Sequence, residues 1–212
     1  MDRRGDAHGR GYDPGGNRAL AVGDWERAVL WNLKSDAIEA EWPIAGNGIN
    51  GRGAAFSRSD RLLALDTKET HVRLIDADTL EDIDSWQAHA APIQDLEFAT
   101  SGEQFYSAST DATIGVWQFD GQLLHRLEGH GMEVLALAES PDGRRLARGG
   151  RDGDVLLWST TTFDLVARLR GHTDYVYDLA WHPDGETLVS SSGDGTLRVW
   201  TTRTLAEGVQ DD

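Results

Sequence analysis

The thirty residues from Gly171 to Trp200, GHTDYVYDLAWHPDGETLVSSSGDGTLRVW, decide the fold that we predict for this chain. They begin with a Gly-His pair and contain three short runs of strand-forming residues, LAW, TLVSSS and TLRVW. The turn-forming sequences HPDG and GDG separate these runs. The stretch therefore predicts three antiparallel strands joined by tight turns.

The same frame recurs upstream at a nearly constant period. Turns equivalent to the one at Pro183 recur every 41 to 44 residues, at Pro14, Arg58, Thr100 and Pro141. The residue 17 positions after each turn is Trp31, Ile75, Trp117, Trp158 or Trp200. Each period has room for four short strands but not for crossover helices, so it predicts a series of antiparallel four-stranded sheets.

We expect five repeats, at about residues 3–45, 46–87, 88–128, 129–170 and 171–207. Residues 1–16 are rich in glycine and poor in apolar side chains, so we expect a poorly ordered segment whose first strand is frayed or absent. Residues 17–205 form the repeat domain, and residues 206–212 form an acidic tail. The polar sequence after Trp200 predicts that the last repeat lacks a proper fourth strand.

The first strand of three repeats carries apolar residues at an odd spacing. Val176 and Leu179 both have the character of core residues, although alternate residues of a regular strand face opposite sides. The same spacing separates Val134 from Leu137 and Ile93 from Leu96. A β-bulge in each first strand would place both residues of a pair in the core.

Composition excludes several classes of function. The 212 residues are 39% hydrophobic and 26% charged, as in soluble globular proteins. The formal charge of −16 disfavours nucleic acids and anionic membranes as partners, because both are bound through basic residues. We expect no transmembrane helix and no secretory signal. The absence of cysteine fits a reducing compartment, so we expect a cytoplasmic protein.

Several short motifs occupy fixed places in this frame. Gly-His stands at 129–130 and 171–172, Ala-His at 88–89, Ser-Pro-Asp-Gly at 140–143 and His-Pro-Asp-Gly at 182–185. With the tryptophans that end the third strands, they resemble the WD-repeat (tryptophan–aspartate) β-propellers. The resemblance implies an all-β propeller of four-stranded antiparallel blades. We expect about five blade-equivalents, the first and last incomplete, in an open or partial ring.

The resemblance also implies a hydrogen-bonded set of His, Ser or Thr, Asp and Trp within each blade. The complete sets are His89, Ser107, Asp111 and Trp117 in repeat three, and His172, Ser190, Asp194 and Trp200 in repeat five. In repeat four, His130, Asp152 and Trp158 match, but Arg148 replaces the hydroxyl residue. Repeat one keeps only Trp31, and repeat two has Asn47, Leu65, Glu69 and Ile75. We expect these two blades to rely on apolar packing.

We predict that the chain is not an enzyme and needs no cofactor. A set of Ser, His and Asp that recurs together with Trp is better explained as architecture than as a catalytic triad. Without cysteines or an HExxH motif, a zinc site is not expected. The alternative, a propeller hydrolase, would need an acid-rich central funnel, whereas the first strands carry mainly Ala, Leu, Val and Phe.

The family resemblance usually implies a platform for protein or peptide partners. Loops that enter the first strand and loops that join the second strand to the third lie on one face of a propeller. The candidate partner-binding residues on that face are Trp25, Lys68, Pro92, Met132, Arg151 and Tyr175. Trp25, at the tip of a turn, either contacts a partner or folds back onto a neighbouring blade. A second hypothesis is that the chain is an incomplete propeller segment of a larger protein or assembly, with self-association through open blade edges.

Overall fold

The computed structural model of the chain describes residues 7–13, 15–23, 27–43, 53–57, 59, 61–67, 70–129 and 131–201. All regular elements in these residues are strands. The described part of the chain therefore contains no helix that is long and apolar enough to cross a membrane. The strands form five separate antiparallel sheets, which we call blades one to five.

Each blade is a meander of strands that are consecutive in the sequence. Blade one contains β1 (Ala7–Tyr12), β2 (Arg18–Gly23), β3 (Arg27–Asn32) and β4 (Ala37–Pro43). Blade two contains β5 (Ala54–Phe56), β6 (Leu62–Thr67), β7 (His71–Asp76) and β8 (Asp82–Gln87). Blade three contains β9 (Ile93–Phe98), β10 (Phe105–Ser109), β11 (Ile114–Trp117) and β12 (Leu123–Leu127). Blade four contains β13 (Val134–Glu139), β14 (Arg145–Gly150), β15 (Val155–Ser159) and β16 (Leu165–Leu169). Blade five contains β17 (Val176–Trp181), β18 (Thr187–Ser192) and β19 (Leu197–Thr201).

The β-bulges predicted in the first strands are confirmed. In β17, Val176 lies opposite Ser192 and Asp178 lies opposite Ser191, so Tyr177 is the extra residue. The same register shift occurs between Val134 and Ala136 in β13. A third shift occurs in the pairing of β9 with β10. The bulge lets residues at an odd spacing face the same core.

The expectation of an incomplete first blade is wrong. Strand β1 is present and pairs with β2 from Ala7 opposite Gly23 to Tyr12 opposite Ala19. Ladder hydrogen bonds join main-chain groups, so the scarcity of apolar side chains does not prevent pairing. The predicted absence of a fourth strand in blade five concerns residues after Thr201, which lie outside the described residues.

The turn between the first and second strands carries a glycine in the same conformation in four blades. Gly16, Gly102, Gly143 and Gly185 all have φ close to +70°. Glycine adopts this left-handed conformation without steric penalty. These turns lie at the end of each blade that is opposite to the loops described below.

Apolar cores lie between neighbouring blades, and each core contains side chains from two adjacent blades. Four buried clusters join blade one to two, two to three, three to four, and four to five. In the last of these, Val155 and Leu157 of blade four pack with Val176, Leu188 and Trp200 of blade five. Among the described residues, no such core joins blade five to blade one. The blades therefore form an open row, in which blades one and five are the ends.

Candidate interaction face

Two sets of loops meet on one face of blades three, four and five. In each blade, a backbone N–H just after the second strand donates to a carbonyl just before the first strand. The pairs are Thr110 to Pro92, Arg151 to Glu133 and Gly193 to Tyr175, at 2.9, 3.0 and 2.9 Å. These residues occupy the same two positions of the repeat. We call the face that carries these loops the upper face.

A cluster of side chains on the upper face spans the junction of blades four and five. The Arg151 guanidinium donates to Glu133 Oε1 at 2.5 Å, and its Cζ lies 4.7 Å from the centre of the Tyr175 ring. The hydrogen bond to Glu133 raises the pKa of Arg151 above its ordinary value. An arginine held over a tyrosine ring contributes about 0.5–1 kcal/mol at an exposed site. The contact orders a charged and an aromatic side chain at the surface.

Exposed apolar side chains adjoin this cluster. Met132, in the loop before β13, is 53% exposed. Tyr177 is 50% exposed, and its ring centre lies 6.1 Å from that of Tyr175 in an edge-to-face arrangement. Tyrosine and arginine are enriched among residues that dominate binding energy at protein interfaces. The junction therefore offers two tyrosines, a methionine and an arginine for contact with a partner.

The structure separates the candidate binding residues into three groups. Arg151 and Tyr175 meet at the junction of blades four and five, and Met132 immediately precedes Glu133, which accepts from Arg151. Pro92 lies one blade away, half-buried, and its carbonyl accepts from the backbone and hydroxyl of Thr110. Trp25 and Lys68 lie outside the described residues.

Tyr177 is a surface residue that is not among the binding residues predicted from the sequence. It is the bulge residue of β17, and a bulge redirects the side chain that it leaves unpaired. The odd spacing of Val176 and Leu179 was the signal that could have identified it.

Below the upper face, the His, Ser, Asp and Trp side chains of blade three form one hydrogen-bonded chain. His89 Nδ1 lies 2.9 Å from Asp111 Oδ2, and His89 Nε2 lies 2.7 Å from Ser107 Oγ. The Trp117 indole donates to the same Ser107 oxygen at 2.8 Å. With a neutral imidazole, Nδ1 donates to the carboxylate and Nε2 accepts from the hydroxyl. All four side chains are thereby paired.

Blade five has the same arrangement with similar distances. His172 Nδ1 lies 2.8 Å from Asp194 Oδ2, and His172 Nε2 lies 2.7 Å from Ser190 Oγ. The Trp200 indole donates to Ser190 Oγ at 2.9 Å. Burial disfavours ionisation of Asp111, but hydrogen bonds from His89 and Thr113 outweigh it and hold the pKa well below its ordinary value. Hydrogen bonds from Thr196 and His172 lower the pKa of Asp194 in the same way. Both aspartates therefore remain ionised acceptors.

Blade four departs from this pattern at Arg148. The Arg148 side chain is fully buried, and its Cζ lies 5.5 Å from the centre of the Trp158 ring. Neither the guanidinium nitrogens nor Trp158 Nε1 hydrogen-bonds to a described residue. Burial lowers the pKa of Arg148 to about 9, against the opposing charge of Asp152. His130 lies outside the described residues, so the structure describes only part of this set.

The buried sets cannot act on a substrate in this structure. Ser107 and Ser190 are fully buried, and each hydroxyl oxygen already accepts from a tryptophan. A nucleophile must lie within reach of the reacting atom, so these serines do not meet the geometric condition for a catalytic triad. Within the described ranges, no group of three or more His, Asp or Glu side chains is placed to hold a metal ion.

Comparison with known proteins matches this architecture. A family model described as "WD domain, G-beta repeat" matches residues 80–118, 121–159 and 163–201. Each matched segment runs from the last strand of one blade to the third strand of the next. The segments together cover more than half of the chain.

Similar proteins include human striatin-4, which is 35% identical over 95 residues that cover 39% of this chain and 13% of that protein. WD repeat and SOCS box-containing protein 1 of Takifugu rubripes is 30% identical over 141 residues, or 65% of this chain and 33% of that protein. The guanine nucleotide-binding protein subunit beta of Saccharomyces cerevisiae is 38% identical over 65 residues, or 30% of this chain and 15% of that protein. The chain thus spans about a third or less of the length of these relatives. With its repeated blades and the matching family model, the chain belongs to the WD-repeat family.

Proposed function

We propose that this chain is a non-catalytic scaffold that binds a protein or peptide partner through its upper face, at the junction of blades four and five. Members of the WD-repeat family generally serve as protein-interaction scaffolds. The observation that carries the proposal is the Arg151–Tyr175 contact beside the exposed side chains of Met132 and Tyr177. Preordered aromatic and arginine side chains lose little entropy on binding.

Affinity capture from the source organism tests this proposal. The wild-type chain is immobilised, and the bound proteins are identified by mass spectrometry. The captures are then repeated with Tyr175→Ala and Arg151→Ala. A partner that uses the cluster is expected to bind each variant roughly 30-fold more weakly, as for a hot-spot contact of about 2 kcal/mol. Purified partner and titration calorimetry give the ratio of dissociation constants.

Arg144→Ala is the matched control. Arg144 is an exposed arginine of the same blade, in the turn between β13 and β14 at the opposite end of the strands. Its replacement should leave the affinity unchanged, and circular dichroism should show the same strand content in all variants. Equal losses for Arg144→Ala and Arg151→Ala, or a partner that both upper-face variants retain, would contradict the proposed site.

A second candidate function is structural: the chain serves as a propeller segment in a larger assembly. One observation favours it. Both ends of the row of blades present residues whose equivalents are buried wherever two blades meet. Uncovered sheet faces of this kind promote association.

A further inference from the structure

The side of blade five that faces away from blade four is apolar. The corresponding side of blade four forms a buried core with blade five. We call the free side of blade five the blade-five end face, formed by Asp178, Ala180, Val189, Leu197 and Val199. Leu197 is 71% exposed and Val199 is 63% exposed. Their equivalents in blade four, Val155 and Leu157, are fully buried against blade five. The end face therefore has the composition of an internal junction but no covering blade among the described residues.

The free side of blade one is the opposite half of such a junction. We call it the blade-one end face, formed by Tyr12, Ala19, Ala21, Val29 and Trp31. Tyr12 is 66% exposed and Trp31 is partly exposed, whereas Trp117, Trp158 and Trp200 at the position of Trp31 are buried. In blade five, Trp181 at the position of Tyr12 donates its indole N–H to the Ala138 carbonyl of blade four at 3.0 Å.

Asp178 lies on the blade-five end face at a position whose counterpart in blade three accepts a backbone N–H from the neighbouring blade. Its counterpart Asp95 in blade three accepts the Leu96 N–H through Oδ1, at 2.9 Å. Asp95 also accepts the Leu137 N–H of the next blade through Oδ2, at 2.8 Å. Asp178 makes the first of these bonds, from Leu179 N to Oδ1 at 2.9 Å. Among the described residues, the structure shows no partner for its Oδ2. A first strand laid on this face would supply the missing N–H.

We infer that the blade-five end face of one copy of this chain docks onto the blade-one end face of a second copy. The contact reproduces, head to tail, the junction that already joins consecutive blades within the chain. A second copy is the occupant because this chain carries both halves of the junction. This inference rests on the second candidate function and identifies the surfaces through which the segments assemble. A head-to-tail contact between copies produces a closed ring or an open chain of copies.

The first test measures association in solution. Sedimentation velocity is recorded between about 1 and 100 μM in 0.15 M salt, where the Debye length of about 8 Å limits repulsion between chains of charge −16. The wild type should form oligomers over this range, and Val199→Glu should weaken association at least tenfold. Val166→Glu is the control, because Val166 is an exposed valine on β16, away from both end faces. A wild-type chain that stays monomeric at 100 μM overturns the inference but leaves the second candidate function standing, because a different chain can still cover the end faces.

The second test identifies the surfaces in contact. Because the chain has no cysteine, Tyr12→Cys and Ala180→Cys each introduce a single thiol. The residues equivalent to these two, Trp181 and Ala138, meet across the junction of blades four and five. A short bifunctional maleimide should link a Tyr12→Cys copy to an Ala180→Cys copy in the mixture. It should link neither variant to itself. Oligomers that give no mixed cross-link, or equal cross-linking of Ala180→Cys alone, overturn the head-to-tail junction and leave the second candidate function standing.

Discussion

One buried position distinguishes blade four from blades three and five. Ser107 and Ser190 each donate to a His Nε2 atom and accept from a Trp indole, whereas Arg148 at this position brings further donors and no acceptor. A buried donor without a partner destabilises the fold by about 1–3 kcal/mol. The contact of the guanidinium with the Trp158 ring offsets part of this loss. Arg148 is therefore a local source of instability in the interior of blade four.

At this residue, serine should stabilise the fold relative to alanine. Both Arg148→Ser and Arg148→Ala remove the buried charge and leave similar space, but only serine supplies an acceptor for Trp158 Nε1. We expect Arg148→Ser to have a free energy of unfolding about 1 kcal/mol above that of Arg148→Ala, the usual contribution of one hydrogen bond. Urea denaturation followed by tryptophan fluorescence measures the difference. Equal midpoints would show that the Trp158 indole finds its partner elsewhere.

At the scale of the blade, the His-Ser-Asp-Trp set links segments of the sheet that are separate in the sequence. In blade five it connects the segment before β17, the middle of β18, the turn after β18 and the end of β19. Blade two has Leu65 and Ile75 instead of Ser and Trp, and both are fully buried. That blade is held by apolar packing, which fits the expectation from its sequence.

Blades one and five allow the effect of the set to be separated from the effect of position, because both are end blades. We expect backbone amides of β18 (Thr187–Ser192) to exchange with deuterium more slowly than those of β2 (Arg18–Gly23), by roughly tenfold or more. The reason is that local opening of β18 must break buried side-chain hydrogen bonds worth about 1 kcal/mol each. Hydrogen–deuterium exchange with mass spectrometry at low protein concentration measures both segments. Equal protection would mean that packing alone sets blade stability.

At the scale of the whole molecule, carboxylates help to join the blades. Asp95 of blade three accepts the backbone N–H of Leu137 in blade four, and Glu97 accepts that of Glu139. Burial raises the pKa of Asp95 to about 7, although the backbone hydrogen bonds from Leu137 and Leu96 oppose this change. The negative charge of Asp178 raises it further. The junction of blades three and four is therefore sensitive to pH.

The sign of this dependence follows from the raised pKa. Because Asp95 binds its proton more tightly in the fold than in the unfolded chain, its stabilising effect is complete below about pH 4 and is lost as pH rises through about 7. The melting temperature of the wild type minus that of Asp95→Asn should therefore decrease as the pH is raised from 4 to 8. Calorimetry at several pH values measures the difference. Asp84→Asn, at an exposed site of β8, controls for the change in net charge, and a difference that does not change with pH would contradict the expectation.

Much of this architecture could be predicted because its signals are local. The spacing of turns and tryptophans predicts four-stranded blades, since a tight turn and a buried indole each depend on a few neighbouring residues. The odd spacing of Val176 and Leu179 predicts the bulge for the same reason. The strand β1 was missed because its pairing depends on the backbone of β2 rather than on its own side chains.

The period, the class of fold and the positions that could carry the hydrogen-bonded sets follow from local patterns in the amino-acid sequence. Three features depend on how the blades pack: Arg151 lies on Tyr175, the bulge exposes Tyr177, and the two end faces lack a covering blade among the described residues. The physical reason is that a repeat encodes each blade in nearly the same residues. Whether a given face is buried then depends on which blade lies beside it, and that is a property of the assembled row.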